Sequence, residues 1–254
     1  MNELNTLLRK VHSVLNENRN AKYEITNETH PRYRNLRRIR ALRDIRRHEV
    51  RAGDLGGYVF SEDNLSQVGD AWIGGDARVS GRARVTDDAI VTGNANVSHN
   101  ALVTDEAIVT DKAIVHGNAN VSHNALVTDE AYVYGSAEVS DDASVSGNAY
   151  VSGNAEVFGN ALVFGKAQVS DDASVHGDAQ VYEDASVSDD ASVSDKAKVY
   201  GNAFVYGNAY VSGNARVYGE ARVSDKAIVH GNAEVSGKAR VSGNDEVSGD
   251  QVVS

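Results

Sequence analysis

The 254-residue chain has no cysteine, one proline and 23 glycines, and only 6 % of its residues are aromatic. The missing cysteine excludes disulfides and cysteine-based metal sites within this sequence, and so few large apolar side chains are unusual for a compact globular core. Residues 1–51 hold 13 basic and 6 acidic residues, whereas the remainder holds 12 and 30. A basic head on an acidic body indicates electrostatic steering or self-association through opposite poles. The simpler interpretation, that acidic turns keep a repetitive body soluble, is favoured.

Residues 1–19 are predicted to form an amphipathic helix. Its apolar residues recur at spacings of three and four: Leu4, Leu7, Leu8, Val11, Val14 and Leu15. Such a helix could form a coiled coil or pack on the rest of the chain. Because two heptads are marginal for a coiled coil, packing on the chain's own body is favoured.

Residues 20–50 are rich in arginine. Eight arginines fall within sixteen positions: Arg32, Arg34, Arg37, Arg38, Arg40, Arg43, Arg46 and Arg47. They indicate either an anion-binding or nucleic-acid-binding surface, or a cap with outward arginines and partly inward Leu36, Ile39, Leu42 and Ile45. The cap is favoured because aromatic stacking residues are sparse there. Arg37, Arg38, Arg40 and Arg43 are kept as candidate binding residues.

Residues 52–66 predict an irregular first coil. Val59 and Leu65 are six residues apart, but Leu65 and Ile73 are eight apart, which indicates an offset of two residues. Such a coil would close the N-terminal end of a repeat whose strand edges would otherwise stay unpaired. We therefore expect a basic cap and first coil over residues 20–70.

From residue 71 onward the sequence repeats every six residues. Every sixth residue from Ile73 to Val253 is Val or Ile, and Ala stands two positions earlier from Ala71 to Ala239. Neighbouring side chains of an extended segment point to opposite faces, so Ala and Val share a buried face. The residues that follow, mostly Gly, Asp and Asn, tolerate the positive φ of a tight corner.

Such short strands favour coiling over an antiparallel meander, because each strand can then pair with its counterparts in the neighbouring coils. Three hexapeptides per coil would give a triangular prism with one repeat on each face. About ten coils at ~4.8 Å spacing make a rod of roughly 48 Å. The predicted fold is an all-β parallel β-helix over residues 71–254 with a small N-terminal α/β cap. Asp245 and Gln251 replace alanine near the other end, which indicates an end cap.

An aliphatic residue followed four positions later by a small one, as in Val91 and Ala95, resembles the hexapeptide-repeat superfamily. The resemblance implies three repeats per turn and a left-handed coil, against the usual right-handed crossover. Residues 42–45, 52–59 and 64–66 also resemble the first-coil motif of bacterial and prophage hexapeptide-repeat proteins that commonly carry a transferase label. This second resemblance covers about residues 36–80 and has Tyr58 where that family often has Trp. It implies a bacterial cytoplasmic or phage-particle location, consistent with the lack of a signal-like or membrane-spanning segment.

Outward residues three repeats apart should stack on one face of the prism. On the face of Val91, Val109 and Val127, the residues before the early valines are aliphatic: Ile90, Ile108 and Leu126. The residues after the later valines of the same face are aromatic: Phe164, Tyr182, Tyr200 and Tyr218. An exposed aromatic row of roughly several hundred Å² approaches the size of an interaction site. It predicts an interface with a second copy, a protein partner or a glycan, or simply stacking that stabilises the solenoid.

The histidines and acidic corners do not define a chemical site. Five histidines lie inside uninterrupted repeats: His99, His116, His123, His176 and His230. A short duplication relates His99 to His123 and places them at different corners. A general base also needs a shaped substrate site. Stacked acidic pairs such as 171–172 and 189–190 could attract hard cations, but solvated turns are favoured. No catalytic residue, metal or cofactor is predicted.

The sequence thus predicts a non-enzymatic rod that binds a protein partner or self-associates, as a dimer or trimer, through a flat face and the N-terminal helix. It predicts no membrane partner and argues against nucleic acid. Two alternatives stay open: a hexapeptide-repeat acyl- or acetyltransferase, and an acidic mimic of nucleic acid that inhibits a DNA-binding protein. A transferase predicts a trimer that binds CoA, whereas a mimic predicts salt-sensitive capture of a basic protein.

Overall fold

The computed structural model describes residues 21–254 as an all-β parallel solenoid of about eleven turns. The helix predicted over residues 1–19 lies outside the described residues. Among those described, the only helical elements are two 3₁₀ turns, at Arg46–His48 and Glu62–Asn64. No helix in residues 21–254 is long and apolar enough to cross a membrane.

Three sheets form the walls of the solenoid. The thirteen-strand face comprises, in spatial order, β1 (Tyr23–Thr29), β2 (Arg37–Ala41), β3 (Leu55–Val59), β5 (Arg78–Val79), β8 (Asn96–Val97), β11 (Ile114–Val115), β14 (Tyr132–Val133), β17 (Tyr150–Val151), β20 (Gln168–Val169), β23 (Ser186–Val187), β26 (Phe204–Val205), β29 (Arg222–Val223) and β32 (Arg240–Val241). The eleven-strand face comprises β4 (Trp72–Ile73), β7 (Ile90–Val91), β10 (Ile108–Val109), β13 (Leu126–Val127), β16 (Ser144–Val145), β19 (Leu162–Val163), β22 (Gln180–Val181), β25 (Lys198–Val199), β28 (Arg216–Val217), β31 (Glu234–Val235) and β34 (Val252–Val253). The ten-strand face comprises β6 (Arg84–Val85), β9 (Leu102–Val103), β12 (Asn120–Val121), β15 (Glu138–Val139), β18 (Glu156–Val157), β21 (Ser174–Val175), β24 (Ser192–Val193), β27 (Tyr210–Val211), β30 (Ile228–Val229) and β33 (Glu246–Val247).

The register of the sheets confirms three hexapeptides per coil. Ile108 lies opposite Ile90 in one neighbouring turn and opposite Leu126 in the other, and each partner is three repeats away along the chain. The backbone N–H of Ile90 donates to the carbonyl of Ala107, one turn along the rod, at 2.9 Å. The left hand of the coil stays a prediction.

The interior is built from the repeat itself. The alanines and valines from Ala77 to Val205 are all fully buried, and most of the later ones nearly so. Only small and branched side chains fill a prism this narrow. Each buried valine stabilises the rod by about 1.5–3 kcal/mol before entropy is counted.

The corners adopt the left-handed backbone conformation that the composition predicts. Twelve corner positions carry Asp, Glu or His with φ between 56° and 65°, and glycine occupies most of the others. Seven of the acidic corner side chains accept the amide of the corner residue one turn along, as Asp129 Oδ2 does from the N–H of Gly147 at 2.9 Å. The acidic corners therefore satisfy backbone donors, in addition to tolerating positive φ.

The first coil carries the predicted two-residue offset. Val59 lies opposite Val79, and Leu65 opposite Val85, so the separation in both pairs exceeds three repeats by two positions. The antiparallel strands β1 and β2 continue the thirteen-strand face beyond β3. Gly56 in β3 allows the close approach of Trp72, because a Cβ there would lie 2.6 Å from the indole ring.

The cap buries three of the four predicted inward residues. Leu36, Ile39 and Ile45 are buried, but Leu42 is 43 % exposed, so its predicted inward position was wrong. The prediction spaced these residues by three. In β2 and just beyond it, alternate side chains point to opposite faces of the strand. Leu42 is two residues after Arg40, so both side chains point outward.

Candidate functional site

Each face of the rod displays two columns of outward side chains. One column precedes the buried valines and the other follows them, and both recur once per coil. The side chain after a valine contacts the side chain before the corresponding valine one turn later. Ser194 Oγ, for example, donates to Tyr210 Oη at 2.9 Å. Each face of this rod therefore presents two parallel columns of side chains, and the sheet register sets the spacing between successive side chains in a column.

The four predicted aromatic residues form one continuous stack on the eleven-strand face. The ring centroids of Phe164, Tyr182, Tyr200 and Tyr218 follow one another at 4.9, 4.9 and 5.0 Å, and adjacent rings lie within 7° of parallel. This distance matches the spacing of paired strands. We call these four side chains the aromatic ladder.

The stacking determines what the aromatic ladder presents to solvent. Each inner ring lies against the faces of its neighbours, so Tyr182 and Tyr200 present mainly their edges and hydroxyls. All four side chains are half-buried, which makes the row less exposed than the sequence suggested. A sugar that stacks on an open ring face would find one only at the two ends of the ladder. A protein surface that packs along ring edges fits this geometry better.

Polar and charged side chains form the column beside the aromatic ladder. Arg216 Nη1 lies 3.4 Å from Glu234 Oε1, and the hydroxyl of Tyr218 donates to Glu234 Oε2 at 3.3 Å. Burial raises the pKa of the Tyr182 and Tyr200 hydroxyls above their ordinary value, so both are neutral hydrogen-bond donors at neutral pH. The ladder is thus a half-buried apolar ridge with a polar border.

The aliphatic candidates lie on the same face, closer to the cap. Ile108 is 39 % exposed, and Ile90 and Leu126 are half-buried on either side of it. The column starts at Trp72, which is buried beneath the cap. The structure therefore places the aliphatic and the aromatic candidates on one face, in successive sections of the rod.

A second aromatic group, on the thirteen-strand face, escaped the sequence analysis. Tyr132 and Tyr150 stack at 4.9 Å, and His116 stacks on Tyr134 at 5.3 Å, both within 9° of parallel. In the linear sequence these tyrosines look scattered. The members of each pair are three repeats apart, so sorting this face by the coil period would have found them.

Arg38 is integrated into the junction between cap and rod. Its guanidinium donates to the carbonyl of Gly56 and to Tyr58 Oη, both at 3.1 Å, and lies 3.3 Å from the carboxylate of Asp76. It also lies over the Tyr58 ring, 4.8 Å from its centroid. These contacts saturate the guanidinium, so Arg38 holds the cap in place.

Two more of the four candidate arginines are paired. Arg40 forms an ion pair with Glu24, and Arg43 forms one with Asp70 at 3.5 Å. Arg37 is exposed and makes no ion pair or side-chain hydrogen bond within residues 21–254. The structure therefore does not gather the four arginines into one open anion-binding surface.

Lys22 is a buried cation under the cap. Its side chain is fully buried, and its ammonium group donates to the carbonyls of Ala71 at 2.8 Å and Gly69 at 3.4 Å. Burial, assisted by the nearby charge of Arg43, lowers the pKa of Lys22 to about 8. At neutral pH the buried, incompletely compensated charge of Lys22 therefore lowers the stability of the folded cap.

Raising the pH from 7 to 9 should stabilise the cap by about 1 kcal/mol. The folded-state pKa lies below that of the unfolded chain, so the unfolded state binds more protons between about pH 8 and 10.5, and stability rises with pH there. Tyr23, whose pKa burial raises, contributes only above about pH 10. Urea unfolding followed by the fluorescence of Trp72, the single tryptophan, measures the change. Lys22→Met should abolish it and the exposed control Lys112→Met should keep it; an equal rise in Lys22→Met would contradict the assignment.

The histidines are distributed over different faces and corners. His99 and His123 occupy left-handed corners in different columns, as the duplication predicted, and His176 stacks on Phe158. The rings of His99 and His116 are 5.6 Å apart. Within residues 21–254 no group of three His, Asp or Glu side chains is placed to hold a metal ion.

The geometry defines the class of protein: the chain is a β-solenoid repeat protein. A family model described as YdcK Beta solenoid repeat matches residues 77–93 and 215–231. Both matches start at the alanine of a repeat unit. No curated protein matches the chain.

Proposed function

We propose that this protein is a non-enzymatic solenoid rod that assembles with a second copy of itself through the aromatic ladder. The observation that carries the proposal is the column of four parallel rings at 4.9–5.0 Å spacing, half-buried yet not covered by any element of residues 21–254. Its ridge of ring edges suits a self-complementary contact, because a two-fold axis would bring the same column from both copies together. The aliphatic section at Ile90, Ile108 and Leu126 extends the apolar surface.

Charge sets the expected conditions of assembly. The body of the rod is acidic, so two copies repel each other at long range. Association through the ladder should therefore strengthen with added salt. An acidic mimic of nucleic acid would show the opposite salt dependence toward its basic target. The resemblance of the first coil supports a bacterial or phage setting for the rod, and the resemblance of the repeats supports a left-handed coil.

Multi-angle light scattering tests the interface. We expect the full chain to run as a dimer, and the variant Tyr182→Ser/Tyr200→Ser/Tyr218→Ser to run as a monomer, because it removes three of the four rings. The matched control Tyr132→Ser/Tyr134→Ser/Tyr150→Ser also removes three stacked tyrosines, but from the thirteen-strand face, and should keep the parental mass. A monomeric parent, or two variants of equal mass, would overturn the proposal.

A further inference from the structure

A cleft of about 270 Å³ lies where the cap overhangs the thirteen-strand face. The turn between β1 and β2 supplies Tyr33 and Leu36 on one side. The first turns of the rod supply Arg78, Ser80, Ser98 and His99 on the other. The serines explain the space, because further along the same column stand His116 and Tyr134. The volume suits a ligand of a few heavy atoms or the head of a larger one.

Arg78 gives this cleft an unneutralised positive charge. Its guanidinium lies over the Tyr33 ring, 4.8 Å from the centroid. Within residues 21–254 it makes no ion pair and no side-chain hydrogen bond. The acidic residue two positions away, Asp76, is already bound by Arg38 at 3.3 Å. A guanidinium stacked on an aromatic ring keeps the N–H donors in its plane available for a ligand.

The surroundings of Arg78 add neutral donors. Ser80 and Ser98 carry hydroxyls on the cleft wall, and the amide of Asn96 lies on the strand directly opposite Arg78. Ser98 Oγ lies 3.2 Å from Nδ1 of His99. One arginine with hydroxyl and amide donors is the set that recognises an oxyanion, because charge-assisted hydrogen bonds to phosphate or carboxylate are the strongest available here.

The local potential points the same way. His30, at the start of the overhanging turn, has a pKa lowered first by burial and next by the charge of Arg78. The charge of Asp76 opposes this shift, and Arg32 and Arg38 add to it. The cleft is positive where the basic cap meets the rod, whose body is acidic, and such a pocket attracts anions.

We propose that this cleft binds a small molecule through its phosphate or carboxylate group, with Arg78 as the charge partner and the Ser80 and Ser98 hydroxyls as further donors. The site is separate from the aromatic ladder, and its occupation does not depend on self-association. Tyr33 orients the guanidinium and closes one side of the cleft.

Isothermal titration calorimetry of the full chain tests the site. Inorganic phosphate and, separately, citrate are used as ligands, so that binding of a phosphate is distinguished from binding of a carboxylate. We expect saturable binding of at least one probe, weakened about tenfold or more in Arg78→Gln. Arg84→Gln is the matched control, because Arg84 holds the same outward strand position on the ten-strand face, away from the cleft. It should bind within about twofold of the parent.

A second variant keeps the test valid if Arg78→Gln disturbs the cap. Ser98→Leu fills the cleft without changing charge, and the repeat tolerates large side chains in the same column position, as Tyr134 shows. It should also abolish binding while circular dichroism and Trp72 fluorescence stay parental. Absence of saturable binding by both probes, or equal losses in Arg78→Gln and Arg84→Gln, would overturn the proposal and leave Arg78 as a clamp on Tyr33.

Discussion

An aspartate at Val145 is expected to destabilise the middle of the rod by at least about 4 kcal/mol. Val145 is fully buried in β16 and lies between Val127 and Val163 in the adjacent turns. Aspartate is close to valine in size, so the loss would come from charge and not from volume. The interior at this point is lined by alanine and valine side chains, which offer a carboxylate neither a counter-ion nor a hydrogen-bond donor.

The neighbouring residue provides the matched control. Ser144 belongs to the same strand but points outward, so Ser144→Asp introduces the same charge at almost the same place and should change stability by less than about 0.5 kcal/mol. Urea denaturation followed by circular dichroism compares the two variants. Because turns of a solenoid contact only their neighbours, limited proteolysis should cut Val145→Asp near the substitution. Similar unfolding midpoints for both variants would contradict a dry interior.

The inside of the rod was predictable because one physical requirement governs it. Every strand must bury its alternate residues in a narrow prism, so Ala and Val recur without interruption. The three repeats per turn were expected from the resemblance to the hexapeptide-repeat superfamily, and the strand register confirms them. The corner residues follow from the positive φ they must adopt. That Asp129 also accepts the Gly147 amide could not be predicted, because it depends on where the next turn lies.

The outside was less predictable because local spacing does not decide which side chains meet. The ladder at Tyr182 and Tyr200 could be found by sorting at the coil period, but its half-buried ring stacking depends on side-chain packing. Arg38 was a candidate for anion binding, yet its partners Tyr58 and Asp76 are brought to it by the fold of the cap. Arg78, which carries the charge of the proposed cleft, gave no sequence signal, because the overhang of Tyr33 is a tertiary feature.

The cap contains a buried polar side chain on which the first coil depends. Asn64 is fully buried in the turn Glu62–Asn64. Its Oδ1 accepts from the N–H groups of Phe60 and Ser61, both at 2.9 Å, and its Nδ2 donates to the carbonyls of Gly81 at 3.2 Å and Ala83 at 2.8 Å. β6 is the first strand of the ten-strand face, so no earlier strand supplies hydrogen-bond donors to the carbonyls of the chain leading into it. The side-chain amide of Asn64 supplies them instead.

Asn64→Ala should therefore destabilise the cap by about 3 kcal/mol, because it leaves several buried backbone groups without partners. The control Asn154→Ala removes an asparagine whose amide also donates across turns, to Asp172 at 2.9 Å, but at an exposed corner, and should cost under about 1 kcal/mol. Trp72 fluorescence reports the cap and circular dichroism reports the rod. In Asn64→Ala the fluorescence transition should precede the dichroism transition, since the turns beyond the first coil keep their own neighbours. Coincident transitions at an unchanged midpoint would show that the first coil does not need this amide to terminate the sheet.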